Sequence, residues 1–464
     1  MVFDHQWSKI FLSGTGLVLL IMVIGGCGDQ GPDSPEEEER FSRQQRIAAE
    51  VDSVLKDQYQ LWYPRVIDQE HGGFLSRFTY DWRPEGAQDK FIVTQARHVW
   101  STSKMAHHNE PHRDFEKYGK HGFQFMREVM WDREHGGFFE MVTRKGKVIT
   151  GEDGQIRKRL YGNAFAIYGL AAYYRVSEDK EALRLAQETF HWLERGAYDR
   201  KHGGYFNSLT REGRPYDEDF PKDYNSSIHM LEALAELHLV WPDSLLQNRL
   251  YEMFRIVRDT IVTDKGYMNL YFREDWSPVT YKDSSRSLQE EHQATDHITF
   301  GHDIETAFLL LEAAHSLGFD ADSTLKKAKK MVDHTIDHAW DEKEGGIYDY
   351  GYYFQGDDSL TVTQTSKEWW SQVEALHSLL IMADYFAGDP RNYAGNFVRQ
   401  WQYIKKYMLD HEHGGWYRGG IDENPEERTS PKATIWKGNY HTIRGLLRSR
   451  ELLEKMSQNR HPIK

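Results

Sequence analysis

The chain has 464 residues, 58 Lys+Arg against 72 Asp+Glu, a formal net charge of −14, 39% hydrophobic and 14% aromatic residues, and one cysteine. That apolar content buries a sizeable core and excludes a largely disordered chain, while the acidic balance argues against a nucleic-acid partner. A single cysteine excludes an intramolecular disulfide and a cysteine-rich zinc site.

The first residues carry a targeting pattern. Lys9 precedes an apolar run from Ile10 to Ile24 that ends in Gly25-Gly26-Cys27. The run is short for a stop-transfer helix, and small residues at its end suit cleavage. With the only cysteine at the cleavage point, residues 1–27 resemble a bacterial lipoprotein signal with Cys27 as the lipidated residue; an uncleaved anchor and a plain secretory peptide are the alternatives. The expected location is the bacterial cell envelope, facing the periplasm or on the outer-membrane surface, with the membrane as a partner through the lipid. Residues 28–40, rich in Pro, Gly and Glu, read as an acidic flexible tether, and residues 41–464 as a single folded domain.

An internal repeat organises that domain. Asp68-Gln-Glu-His-Gly-Gly-Phe74 returns as Asp132-Arg-Glu-His-Gly-Gly-Phe138, Asp199-Arg-Lys-His-Gly-Gly-Tyr205, a degenerate Asp264-Lys-Gly-Tyr267, Asp341-Glu-Lys-Glu-Gly-Gly-Ile347 and Asp410-His-Glu-His-Gly-Gly-Trp416. The first glycines are spaced by 64, 67, 63, 79 and 69 residues, the period of a repeated supersecondary unit. Asp and Gly suit a helix end that turns into a short hairpin, and the aromatic residue anchors it. A turn repeated six times has a structural role, so its histidines are not the chemistry.

Between the turns two kinds of helix alternate. Ser323–Trp340 carries Leu325, Ala328, Val332 and Ile336 on one face and lysines elsewhere, an outer helix with a wet side. Tyr161–Tyr174 has no charge and Thr306–Leu317 has one, so these are buried all round. Six outer–inner pairs predict an all-α (α/α)6 barrel with short Gly-Gly hairpins and a central funnel, because an open helical solenoid, the alternative, leaves apolar end faces exposed.

Equivalent positions near the inner-helix starts then converge on one mouth. Arg97, Tyr161, His229, Trp370 and His441 follow the second glycine of their turns by 24 to 26 residues, whereas His302 follows Gly266 by 36. The excess marks an insertion near Ser277–Thr295, polar enough for a mobile rim loop or lid. Asn225 with His229, His302 with Glu305, and Trp370 with Glu374 each share a helix face. Imidazoles beside carboxylates serve as general acids and bases near neutral pH, and aromatics at a polar funnel suit sugar faces.

These residues carry a family resemblance. Gln95-Ala-Arg97, Tyr161-Gly-Asn-Ala-Phe-Ala-Ile-Tyr168, Asn225-Ser-Ser-Ile-His229, Phe300-Gly-His-Asp-Ile-Glu305, Glu368-Trp-Trp-Ser-Gln-Val-Glu374 and Trp436-Lys-Gly-Asn-Tyr-His441 occur in order, one per repeat. The chain resembles the N-acylglucosamine 2-epimerase superfamily and, within it, the cellobiose 2-epimerases. The resemblance implies reversible inversion at C2 of a reducing-end aldose, with no metal and no redox cofactor, by a monomer. It implies that His302 and His441 move the C2 proton through a cis-enediolate and that His229 orients or assists ring opening. It further implies that Arg97, Tyr161 and Asn225 bind O1 or O2, that Glu305 tunes a histidine, and that Trp370, Glu374 and Trp436 contact sugar. Cellobiose, mannobiose, a longer β-linked oligosaccharide and free mannose are the candidate substrates.

Other readings make distinct demands. Aldose–ketose isomerisation differs only in where the enediolate is reprotonated. A glycoside hydrolase on this fold needs two free carboxylates, with Asp303, Glu305 and Glu374 as candidates. A sugar-binding lipoprotein needs Trp370 and Arg97 but not the histidines. For a metal, His292, His297 and His302, or His334 and His338, are the groups to weigh, and they read as surface histidines.

Overall fold

The computed structural model describes residues 35–108, 114–216, 219–319 and 322–458. The signal segment, Cys27 and residues 28–34 of the tether lie outside the described residues. Among the described residues no helix is long and apolar enough to cross a membrane. Residues Arg40–Lys464 make one compact unit. The first helix, α1 (Pro35–Trp62), starts inside the stretch expected to be tether. A proline followed by glutamates suits a helical first turn as well as a solvated spacer, and the compact unit itself begins at Arg40, next to the expected boundary.

Among the described residues, twelve helices alternate between outer and inner sets as expected. The outer set is α1, α3 (Asp114–Phe125), α5 (Lys180–Gly196), α7 (Ser244–Ile256), α10 (Asp322–Ala339) and α12 (Tyr393–Tyr403). The inner set is α2 (Ile92–His107), α4 (Leu160–Ser177), α6 (Tyr224–His238), α9 (Phe300–Ser316), α11 (Trp369–Tyr385) and α13 (Tyr440–Gln458). On α5 only the stripe Ala182, Leu185, Ala186, Thr189, Phe190 and Leu193 is buried with Trp192, whereas α4 is buried continuously from Gly162 to Tyr173. Each inner helix packs on the next, and α13 packs back on α2. Phe78, ahead of α2, also bridges Ala433, ahead of α13, with its N–H 3.2 Å from the Ala433 carbonyl. The ring is therefore closed, an (α/α)6 barrel rather than an open solenoid.

Short antiparallel pairs set the direction of the inner helices. β1 (Lys90–Phe91) pairs β2 (Met141–Val142), β3 (Arg157–Arg159) pairs β4 (Ser208–Thr210), and β5 (Lys222–Asp223) pairs β6 (Tyr271–Phe272). β7 (Ile298–Thr299) pairs β8 (Tyr350–Tyr352), which also pairs β9 (Thr361–Gln364). Each first strand immediately precedes an inner helix, and its partner lies on the way to the next one. The inner helices thus start at one common end.

The repeated turn owes its sequence to hydrogen bonding. Asp132 Oδ1 accepts the main-chain N–H groups of Glu134 and His135 at 3.1 and 3.3 Å, and its Oδ2 meets Lys158 Nζ at 2.9 Å. Gly136 and Gly137 have φ near +73° and +72°, and a Cβ on either would lie 2.8 Å from the Trp192 ring, so both positions need glycine. The buried pairing recurs as Asp68–Lys90, Asp199–Lys222, Asp341–Lys367 and Asp410–Lys432. Inner-helix side chains clamp the far side of the turns: Gln95 accepts from Phe74 N–H at 2.8 Å, Asn163 from Phe138 at 2.8 Å, Asp303 from Met268 at 2.9 Å and Gln372 from Ile347 at 3.0 Å.

The insertion differs from expectation. It is not a loop throughout but carries a helix, α8 (Arg286–Asp296), held by buried anchors. Asp296 accepts from Thr280 Oγ1 at 2.7 Å and Tyr352 Oη at 2.8 Å, and Gln289 accepts from Gln355 N–H at 2.7 Å. Polar composition hid this because the anchors are themselves polar. His334 is also not a surface residue: it is 5% exposed, packed against Tyr267 and His338, with Nε2 3.0 Å from Tyr353 Oη.

Candidate active site

The first two turns of the six inner helices bring most of the predicted residues together. Six helix N-termini aimed at one funnel favour negative charge there. His229 and His441 are each backed by a glutamate: His229 Nδ1 lies 3.0 Å from Glu232 Oε2, and His441 Nδ1 lies 2.8 Å from Glu374 Oε1. A carboxylate oxygen accepts, so Nδ1 donates in both rings and Nε2 is the nitrogen left to meet substrate. His302 is held differently, with Nδ1 2.9 Å from Thr299 Oγ1 and 3.3 Å from Tyr224 Oη. Trp370 lies between two of the histidines, its ring centre 4.5 Å from that of His302 and 5.5 Å from that of His441.

Burial keeps His302 and His441 neutral. It pushes His302 down to about 4, with the charge of Glu305 opposing. Burial also lowers His441 well below its ordinary range, and the guanidinium groups of Arg97 and Arg444 add to the effect. Neutral histidines with a free ring nitrogen are bases ready to take a carbon-bound proton.

On the opposite wall Arg97 donates to Tyr161 Oη at 3.0 Å and lies over the rings of Phe165 and Tyr440, 4.2 and 4.8 Å from their centres. It makes no ion pair among the described residues, and its buried Nε has no partner there. The Asn225 side chain lies beside the Tyr161 hydroxyl and leaves Oδ1 without a partner among the described residues. An unpaired guanidinium beside an amide and a phenol suits an oxygen that gains negative charge. Tyr161 and His229 are neighbours, ring centres 5.3 Å apart.

Two predicted residues stand apart from the rest. Glu305 hydrogen-bonds no histidine among the described residues; it accepts from Arg444 and acts on His302 through its charge. Trp436 is 52% exposed and packs on Phe91, 4.7 Å between ring centres, at the rim beside the start of α2. The residues missed by sequence reasoning are Glu232, Tyr440 and Arg444, together with Thr299 and Tyr224. Spacing held a signal for two of them, since Glu232 follows His229, and Arg444 follows His441, by three residues on a helix.

The carboxylates available for hydrolysis are engaged elsewhere. Asp303 holds a turn, and Glu305 and Glu374 both take N–H groups from Arg444. Glu305, Glu374 and His441 do place three ligand-type atoms within 4.8 Å of one another, but Arg444 already supplies positive charge to both carboxylates. His292 stacks on Tyr281 and His297 on Tyr350, and with His302 they form no ligand cluster among the described residues.

A closed helical barrel whose funnel gathers carboxylate-backed imidazoles and an unpaired guanidinium is a scaffold for moving protons on and off carbon. Residues 72–444 match the N-acylglucosamine 2-epimerase (GlcNAc 2-epimerase) family, and the chain belongs to it. A cellobiose 2-epimerase from Bacteroides fragilis is 28% identical over 412 residues, 85% of this chain and 98% of the relative. A D-mannose isomerase from Marinomonas mediterranea is 25% identical over 410 residues, 85% of this chain and 94% of the relative. The solved structure of cellobiose 2-epimerase from Spirochaeta thermophila superposes with a TM-score of 0.76 at 28% identity, covering 89% of this chain and 98% of its own.

Proposed function

We propose that the chain is an isomerase that interconverts glucose and mannose at the reducing end of a β-linked disaccharide or oligosaccharide of the cellobiose or mannobiose type. The observation that carries this is the placement of His302 and His441 on either side of Trp370, with Arg97 unpaired across the funnel.

Ring opening moves the O1 proton to O5, with His229 assisting, and leaves an aldehyde at C1. Arg97, Tyr161 and Asn225 polarise that carbonyl, which acidifies the C2 hydrogen. One of His302 and His441 removes the proton through its ring nitrogen, and the electron pair passes to O1 as a cis-enediolate. The other histidine, protonated for this step, gives its proton to C2 from the opposite face and is left neutral; the first keeps the abstracted proton until it exchanges with solvent, and the aldehyde recloses. In the reverse direction the two exchange roles. Each such group contributes about 10²–10⁴-fold to rate. Trp370 stacks on the sugar, and Glu374 acts through His441.

The test is proton NMR of cellobiose, mannobiose and mannose in D2O with protein beginning at Gly28. Deuterium entering C2 while glucose-type and mannose-type reducing ends interconvert is the expected result, abolished in His302→Ala and His441→Ala. Appearance of a ketose instead identifies the second reading, aldose–ketose isomerisation, in which C1 receives the proton; similarity to a D-mannose isomerase favours that second reading over others. New reducing ends without C2 exchange would mean hydrolysis.

We also propose that the protein is a monomer anchored in the bacterial envelope through a lipid on Cys27. Support for the monomer is that one chain supplies all six inner helices of the site. Support for the anchor is the apolar run ending at the only cysteine. Expression in a bacterial host is expected to place the protein in the membrane fraction and Cys27→Ser in the soluble fraction, with the mass of one chain in solution by light scattering.

A further inference from the structure

One side chain joins the histidine–glutamate pairs. Arg444, in the second turn of α13, is 1% exposed and donates to glutamates on three other inner helices. Nη1 reaches Glu232 Oε1 of α6 at 2.6 Å, Nη2 and Nε reach Glu374 Oε1 of α11 at 2.6 and 3.1 Å, and Nη2 also contacts Glu305 of α9. Glu232 and Glu374 in turn hold the Nδ1 atoms of His229 and His441. An unbroken hydrogen-bonded chain thus runs from His229 through Glu232, Arg444 and Glu374 to His441.

We propose that Arg444 is a positioning residue that couples the His229–Glu232 and His441–Glu374 pairs across the funnel, so that the charge on one pair sets the proton affinity of the other. The proposal rests on the proton-transfer reading of this site.

The argument is one of charge. Three carboxylates face a single guanidinium away from water, and ionising all three leaves uncompensated negative charge in a low dielectric. One proton therefore stays in the cluster. Burial raises the Glu374 carboxyl to about 8 against the pull of Arg444, whereas Arg444 and His229 overcome burial and hold Glu232 well below the usual carboxylate range. Glu374 Oε1 receives N–H groups from Arg444 and His441, and Oε2 has no partner among the described residues, so the proton belongs on Oε2. An imidazolium at His441 is stabilised as far as Glu374 ionises, and that depends on how much of Arg444 is engaged by Glu232 and Glu305.

The remaining charged and titratable groups around this cluster are Arg97 of α2, Tyr161 and Tyr168 of α4, His302 of α9, His377 of α11 and Tyr440 of α13. None of them bridges the two pairs with charge-assisted bonds on both sides. Tyr440 comes nearest, donating to Glu232 Oε1 at 2.6 Å, but it is neutral.

NMR titration of the imidazoles in the whole folded domain, assigned with His229→Asn and His441→Asn, tests the coupling. Glu232→Gln keeps the side-chain shape, releases Arg444 to Glu374 and lets Glu374 ionise. It is expected to raise the His441 midpoint by about one pH unit, although Glu232 makes no hydrogen bond to His441. In Arg444→Lys the point charge lacks the fork needed to serve both glutamates, and Glu232→Gln is expected to leave His441 unmoved. A His441 midpoint unaffected by Glu232→Gln, or shifted equally in the lysine background, overturns the proposal. If Arg444→Lys does not melt cooperatively, the Glu232→Gln result alone decides. Because the readout is imidazole protonation, its failure is distinct from failure to find C2 exchange.

Discussion

Glu374 and His441, on adjacent inner helices α11 and α13, share a 2.8 Å contact between Oε1 and Nδ1. The contact settles which ring nitrogen of His441 faces the funnel with a lone pair, and it is formed between helices rather than within one. Glu374→Gln is expected to lower kcat about tenfold or more with a small change in KM, because an amide can present its NH2 to Nδ1 and reverse the tautomer. Steady-state kinetics check this; a change in KM alone would show that Glu374 binds sugar and does not act through His441.

The acid limb of the pH profile follows from burial. His302 is pushed down to about 4 from an ordinary value of about 6.5, and a base works only when neutral. Its activity is therefore present above that range and lost as pH falls through about 4. A limb centred near 6.5 in kcat/KM would remove His302 as the base.

Burial of neutral histidine also shapes stability. His98, His334 and His377 are each pushed down to about 3 in the fold, while the unfolded chain binds protons near 6.5. Between these values the unfolded state holds more protons, so stability rises with pH through that window. Urea midpoints at a series of pH values check the slope, and His98→Gln is expected to flatten it. An unchanged slope in that variant would mean that His98 is not held neutral.

The repeated turn is expected to be structural. Lys158 Nζ and Asp132 are both buried, and Lys158→Met leaves the carboxylate with Arg211 as its remaining cation. The expected loss is about 2 kcal/mol in denaturant unfolding, with kcat unchanged. A large kcat effect without loss of stability would instead tie the turn to chemistry.

Asp303 separates isomerase from hydrolase. Its Oδ1 accepts from Met268 N–H, the task that Asn163 performs for Phe138 in another repeat. Asp303→Asn is thus expected to keep turnover within about threefold, since the clamp survives. A hundredfold loss would return Asp303 to the list of reacting groups.

Much of the architecture was legible because its causes are local and recur. Asp and glycine mark each turn, charge-free stretches such as Tyr161–Tyr174 mark inner helices, and offsets of 24 to 26 residues from the turns place Arg97, Tyr161, His229, Trp370 and His441 in the first two turns of their helices. The insertion misled because Asp296 and Gln289 look solvated in sequence and become anchors only against Tyr352 and Gln355. His334 misled in the same way, lying on an outer helix but on its buried side.

By itself the sequence determined the period, the alternation of wet and buried helices, and which side chains reach the mouth, since these depend on spacing along one chain. Only the tertiary structure decided who partners whom. Arg444 stands near Arg448 and Arg450 on a helix that reads as charged; its spacing from His441 marks the face they share but not its partners. Its place is set by Glu232, Glu305 and Glu374, which arrive from α6, α9 and α11 when the ring closes. A buried guanidinium is stable only beside carboxylates that compensate it, and those are brought together by long-range packing, not by local sequence.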